Sequence, residues 1–147
     1  MTAGPFEAAT GDGPVPPAAG RDAAVRTAFE GLLHIRRVMD GPGASGPAPW
    51  ERLQPVRAVA LALEAAGIEA SAVDTEGRRC ATGYRVSATE RASVARVEWL
   101  GPPGSGAEYA ANESLQRCAG VLRRLGWVAL EYRGPRRHHY LEVEPEG

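Results

Sequence analysis

The sequence predicts an α+β fold, an antiparallel sheet in the element order α-α-β-β-β-α-β-β with helices packed on one face. Three observations carry this. Apolar residues recur at three- and four-residue steps over roughly 21–39, 49–66 and 105–125. The period changes to two over 68–100 and 127–144, which is the signature of half-buried strands. Clusters of glycine and proline at 41–49 and 101–106 punctuate the chain between these stretches.

Residues 1–20, MTAGPFEAATGDGPVPPAAG, offer only Phe6 and Val15 as sizeable apolar side chains. Such a segment buries too little surface to offset its ordering entropy, so the composition predicts a disordered tail followed by one α+β domain over 21–147. Within that domain, 21–40 reads as an arm-like helix, 41–49 as a Gly/Pro loop and 50–147 as the main fold. Asp22 is a fitting cap for the arm, and Val25, Phe29, Leu32, Ile35 or Arg36, and Met39 form its apolar stripe. His34, Arg36 and Arg37 are expected in solvent. The arm is the element best placed to dock on a partner chain or a second copy.

The second helix spans Pro49 to Ala66, with a restart at Pro55, a residue tolerated only in a first helical turn. Val56, Val59, Ala60 and Leu63 are its buried stripe, and Gly67 ends it. A meander follows: a weak strand over Ile68 to Asp74, a turn at Glu76-Gly77, a strand from Arg79 to Ser87 with Cys80, Thr82, Tyr84 and Val86 on one face, and a strand from Val94 to Leu100 with Ala95, Val97 and Trp99 together. The third helix begins near Ser105 and Glu108, which fit a capping box, and buries Leu115, Cys118, Ala119, Leu122 and Leu125 before Gly126 stops it. Gly120 in its interior suggests close approach by another backbone. The last two strands form a hairpin. Val128, Leu130 and Tyr132 share one face of the first strand, His139, Leu141 and Val143 share one face of the second, and Gly134-Pro135 make the turn.

The chain of 147 residues is 44% apolar and 24% charged, ordinary for one globular domain. A net charge of -1 gives no global attraction to nucleic acid or anionic membrane, so any such binding needs a local patch. All seventeen basic residues are arginine, a bias that GC-rich coding explains without ligand chemistry. No basic segment leads into an apolar core at the N-terminus, and no apolar run reaches bilayer length; with two unpaired cysteines, Cys80 and Cys118, the expectation is a cytoplasmic protein with no membrane partner. His138 and His139 point to opposite faces of a strand and cannot share a metal. GPPGSG at 101–106 lacks the GK[ST] ending of a P-loop and the pattern of a dinucleotide fold. No catalytic constellation is found, no cofactor is expected and no metal site is assigned.

The sharpest chemical feature is the arginine-rich ending. Between Glu113 and Tyr140 lie six arginines against two glutamates, a local excess of +4 in a chain otherwise acidic. Arg124, Arg133, Arg136, Arg137 and His138 are the candidate binding residues, suited to phosphates or to acidic protein surface. The stretch RRLGWVALEYRGPRRHHYLEVEPEG resembles the end of a winged-helix DNA-binding domain, a helix leading into a hairpin wing with a basic tip; that resemblance implies nucleic acid as a partner. It departs from the family upstream, where ARVEWLGPPGSG puts a strand and a breaker in place of the second helix. The order helix, three strands, helix, two strands is similar to the small secretion-chaperone fold, which implies a dimeric, non-enzymatic binder of extended protein segments. The expectation is a small non-catalytic binding or adaptor protein acting on an unknown protein partner or on itself as a homodimer. The alternative is a nucleic-acid-binding accessory protein.

Overall fold

The computed structural model describes residues 6–41, 43 and 46–146, and of Arg137 the backbone alone. Among the described residues four α-helices, α1 (Arg21–Asp40), α2 (Pro49–Leu53), α3 (Pro55–Ala65) and α4 (Ala107–Arg124), accompany six strands, β1 (Ala72–Val73), β2 (Arg79–Ala81), β3 (Gly83–Ala88), β4 (Ala95–Leu100), β5 (Trp127–Arg133) and β6 (His139–Pro145). Strands β3-β4-β6-β5 form an antiparallel sheet in that order, and β1 and β2 pair in a separate small ribbon. The α+β class and its antiparallel sheet are as the periodicities predict. Pro55 divides the second helix as expected, because a proline has no amide to donate and is accommodated at the start of a new helix.

Tyr84, Val86, Ala95, Val97, Trp127, Ala129, Leu141 and Val143 point from one face of the sheet into a core completed by Val59 and Leu63 of α3 and by Leu115, Cys118 and Leu122 of α4. Helix α1 adds a further layer, with Val25 and Leu32 against Leu61 of α3. It is therefore packed on the fold and is not a free arm. Met39, Val38 and Ile35 remain exposed.

Arg36, expected in solvent, is buried. Its Nε and Nη2 donate to both carboxylate oxygens of Glu51 at 2.8 and 2.7 Å, and its Nη1 donates to the Leu125 carbonyl at 2.7 Å. Glu51 also accepts from the Ala48 amide at 2.8 Å. One guanidinium thus ties α1 to α2 and to the α4–β5 junction. The planar fork matches a carboxylate and leaves a donor over for the Leu125 carbonyl, so neither buried charge is left unpaired.

The N-terminal composition misleads in the same way. Residues 1–5 lie outside the described residues, but 9–13 run along the outer edge of β3 and are no free tail. Val86 N–H donates to the Thr10 carbonyl at 2.7 Å, Val73 N–H to the Gly13 carbonyl at 2.9 Å, and the Tyr84 hydroxyl to the Ala9 carbonyl at 2.8 Å. The contacts are made by backbone, to which apolar composition is blind.

Smaller departures have local causes. The strand expected over Arg79 to Ser87 breaks at Thr82, so Cys80 is exposed while Tyr84 and Val86 are buried. Immediately after the break, Gly83 faces residues 69–71, where an added Cβ would collide with the Glu69 carbonyl oxygen. Helix α4 starts after Gly106 in left-handed conformation, and no side chain closes a capping box. At Gly120 the nearest atom to an added Cβ is the Arg124 guanidinium at 3.9 Å, so no backbone packs close there.

Candidate protein-contact face

The hairpin of β5 and β6 forms as predicted, but its faces are combined differently. The register sets Ala129 opposite Val143 and Glu131 opposite Leu141, which puts Trp127 and Ala129 with the core and turns Val128, Leu130 and Tyr132 to the other side. Trp127 enters the core directly after Gly126, whose φ of 84° ends α4 and swings the chain into the sheet.

The far side of the sheet is consequently uncovered by any helix and carries two ordered rows. One runs Arg85, Glu98, Tyr140, Tyr132 across the four strands; the next runs Ser87, Arg96, Glu142, Leu130. The β3–β4 half is charged and paired in part, with Arg96 Nε buried and without a hydrogen-bond partner among the described residues. Arg85 donates to Glu98 at 3.1 Å, His138 Nε2 lies 2.7 Å from Glu98, and Arg96 stacks on the Tyr140 ring at 4.2 Å. The β5–β6 half combines apolar and aromatic side chains on β5 and at Tyr140 with Glu142 and Glu144 on β6. Tyr132 and Tyr140 stack with centroids 5.7 Å apart, and Leu130 and Tyr132 are 47% and 40% exposed, values high for strand residues of their size.

The candidate arginines do not gather into one patch. Arg124 ends α4 beside the start of β5, whereas Arg133 closes β5 and Arg136 sits in the 3₁₀ turn Pro135–Arg137, about 20 Å away along seven strand residues. Arg133 and Arg136 are exposed, and the side chain of Arg137 lies outside the described residues. His138 is engaged by Glu98, and His139 lies 3.4 Å from Glu131 on the other side of the strand. Arg123, which sequence placed in the basic cluster, donates to the Ala129 carbonyl at 2.7 Å. The turn itself is made differently from expectation: Gly134 has a φ of -91°, and Arg136 takes the left-handed conformation at φ 60°. Nor is the hairpin a separate wing, since β6 lies between β4 and β5 inside the sheet.

Burial pushes the Cys118 thiol up to about 12, so it is held protonated inside the core. Burial, followed by the nearby Glu64 charge, likewise raises the Tyr84 phenol. Among the described residues no group of three or more His, Cys, Asp or Glu side chains is placed to hold a metal ion, and no helix is long and apolar enough to cross a membrane. Sequence reasoning missed the open-face rows because both sides of β5 carry apolar residues. The signal that could have found them is the tryptophan immediately after a helix-ending glycine, which fixes the inward phase of the strand. Compared with protein-family models, with curated proteins and with solved structures, the chain matches none.

Proposed function

We propose that this chain is a small cytoplasmic binding or adaptor protein without catalytic activity, which acts through protein–protein contacts made by the open face of its sheet. The observation that carries the reading is the pair of exposed side chains Leu130 and Tyr132, continued by half-buried Val128 and Tyr140, beside the charged residues of β3 and β4. Aromatic and aliphatic side chains bordered by polar and charged groups suit a protein interface, where an apolar centre excludes water and a polar rim sets orientation. A second copy is one such partner, because β5 is an edge strand of the sheet.

The test is site-specific photo-cross-linking in cells, with p-benzoylphenylalanine in place of Leu130 and, as control, in place of Leu53, which is 80% exposed on α2. Discrete adducts at position 130 and none at 53 support the reading, and an adduct of twice 15.5 kDa identifies a second copy. No adduct at 130, or equal adducts at both positions, overturns it. The nucleic-acid alternative draws on exposed Arg133 and Arg136, but Glu98, Glu142 and Glu144 lie on the adjoining face and oppose phosphate. Fluorescence anisotropy against duplex and single-stranded oligonucleotides decides it: micromolar binding that weakens steeply with salt establishes that role, and no binding at low salt removes it.

A further inference from the structure

We propose that the outer edge of β3, with Arg79 and Arg85, is a binding site for an extended segment of another polypeptide that carries a glycine followed by an acidic residue, and that residues 9–13 fill this site in its absence. The contacts these residues make are those by which a peptide is recognised. Backbone supplies most of them: the Ala9 amide donates to Glu64 at 3.0 Å, the Ala9 carbonyl accepts from Tyr84, the Thr10 carbonyl from the Val86 amide, and the Gly11 carbonyl from Arg79. Only two positions are selective by side chain. Gly11 has a φ of 97°, and a Cβ there would lie 2.5 Å from the Tyr84 carbonyl oxygen and 2.7 Å from the Arg85 Cα. Asp12 takes Arg79 Nη2 at 3.2 Å and Arg85 Nε at 2.8 Å.

The occupying segment is held by polar contacts over 9–13 and, upstream, by Phe6 and Ala8, which pack part-buried against the apolar layers. Of residues 6–13 only Gly11 is buried, and Gly11 has no side chain to anchor in the core. Cavities of 530 and 400 Å³ adjoin the segment, one toward Arg21 and Ala24 of α1 and the other toward Ile68 and residues 69–72. Its departure frees the Val86 amide, takes the carboxylate from Arg79 and leaves Arg85 with Glu98 alone, while Tyr84 stays bonded to residues 69 and 71; the open part of the edge is fitted for an acidic peptide. The tethered copy competes at the high effective concentration of an intramolecular ligand, so a partner gains access in proportion to the release of the tether. This site shares Arg85 with the charged half of the open face but uses none of the aromatic and aliphatic side chains of β5 and β6, on which the proposed protein-contact role rests.

The experiment titrates the full-length chain against a fluorescein-labelled peptide of residues 8–14, Ala-Ala-Thr-Gly-Asp-Gly-Pro, read by anisotropy, with circular dichroism and thermal melts confirming that each variant is folded. Gly11→Val, which cannot seat its own segment, is expected to bind the peptide at least tenfold more tightly than the wild type, and to lose that binding when the peptide's Asp is replaced by Lys or when Arg85→Ala is added. Should Gly11→Val fail to fold, Asp12→Lys serves as the release variant with the same expectation. Leu130→Glu leaves peptide binding unchanged, which separates this proposal from the open-face reading. Equal affinity for wild type and release variant, no binding to either, or binding indifferent to the peptide's charge overturns the proposal.

Discussion

Arg36→Ala tests the buried clamp that joins the helical layer to the sheet. Arg36 is 4% exposed and Glu51 is not exposed at all, and the guanidinium makes three hydrogen bonds of 2.7 to 2.8 Å. Truncation leaves the Glu51 carboxylate with the Ala48 amide as its remaining donor and leaves the Leu125 carbonyl without the guanidinium. Stranding one member of a buried pair costs about 3–5 kcal/mol, a large part of the roughly 5–15 kcal/mol that holds a domain together. At a urea m-value of about 2 kcal/mol/M the midpoint falls by about 1.5–2.5 M. Tryptophan fluorescence follows the transition, with Trp50 beside Glu51 reporting on the site. In the double variant Arg36→Met/Glu51→Leu no charge is stranded, so its cost falls below the sum of the single variants by about 1–3 kcal/mol. A cost for Arg36→Ala below about 1 kcal/mol, or strict additivity in the cycle, refutes the clamp.

Three further outcomes follow from the same geometry. Gly120→Ala removes a flexible residue from the interior of α4 where nothing crowds the new Cβ, and is expected to stabilise the fold by about 0.5–1 kcal/mol in urea melts; destabilisation contradicts the open space found there. A thiol reagent is expected to modify Cys80 at once in the native protein and Cys118 only after denaturation, so that two fast-reacting native thiols contradict the core placement of Cys118. Desolvation opposes the Asp12 carboxylate, but hydrogen bonds from Arg85 and then Arg79 outweigh it and hold the carboxyl below its usual 3.8. Its contribution is therefore present above pH 3.8 and lost as the pH falls through the lower folded value, and the gap in melting temperature between wild type and Asp12→Asn is expected to close over that range. A gap that persists in acid contradicts the ion-pair account.

The fold was legible where local chemistry and tertiary need agree. Pro55 starts a helix, Gly126 ends one, and alternation over β4 and β6 marks the inward residues Val97, Leu141 and Val143 correctly. It was illegible where a distant partner decides. Arg36 follows Leu32 by four residues and so shares its stripe, yet only the spatial arrival of Glu51 makes burial of a charge tolerable. Ala129 is too small to signal a core position from spacing; the register with Val143 assigns it. Arg124 and Arg133 are near in sequence, but the extended strand between them carries them apart. Residues 9–13 bind through carbonyls, a glycine and one aspartate, none of which registers as hydrophobic pattern.

Whether the chain works through its open sheet face or through its cationic turn is decided most directly by comparing cross-link yield from position 130 in two charge variants. The account predicts that Tyr132→Glu abolishes the adduct and that the pair Arg133→Glu/Arg136→Glu leaves it intact. Retention of the adduct in Tyr132→Glu with its loss in the arginine pair would contradict the account and move the working surface to the turn.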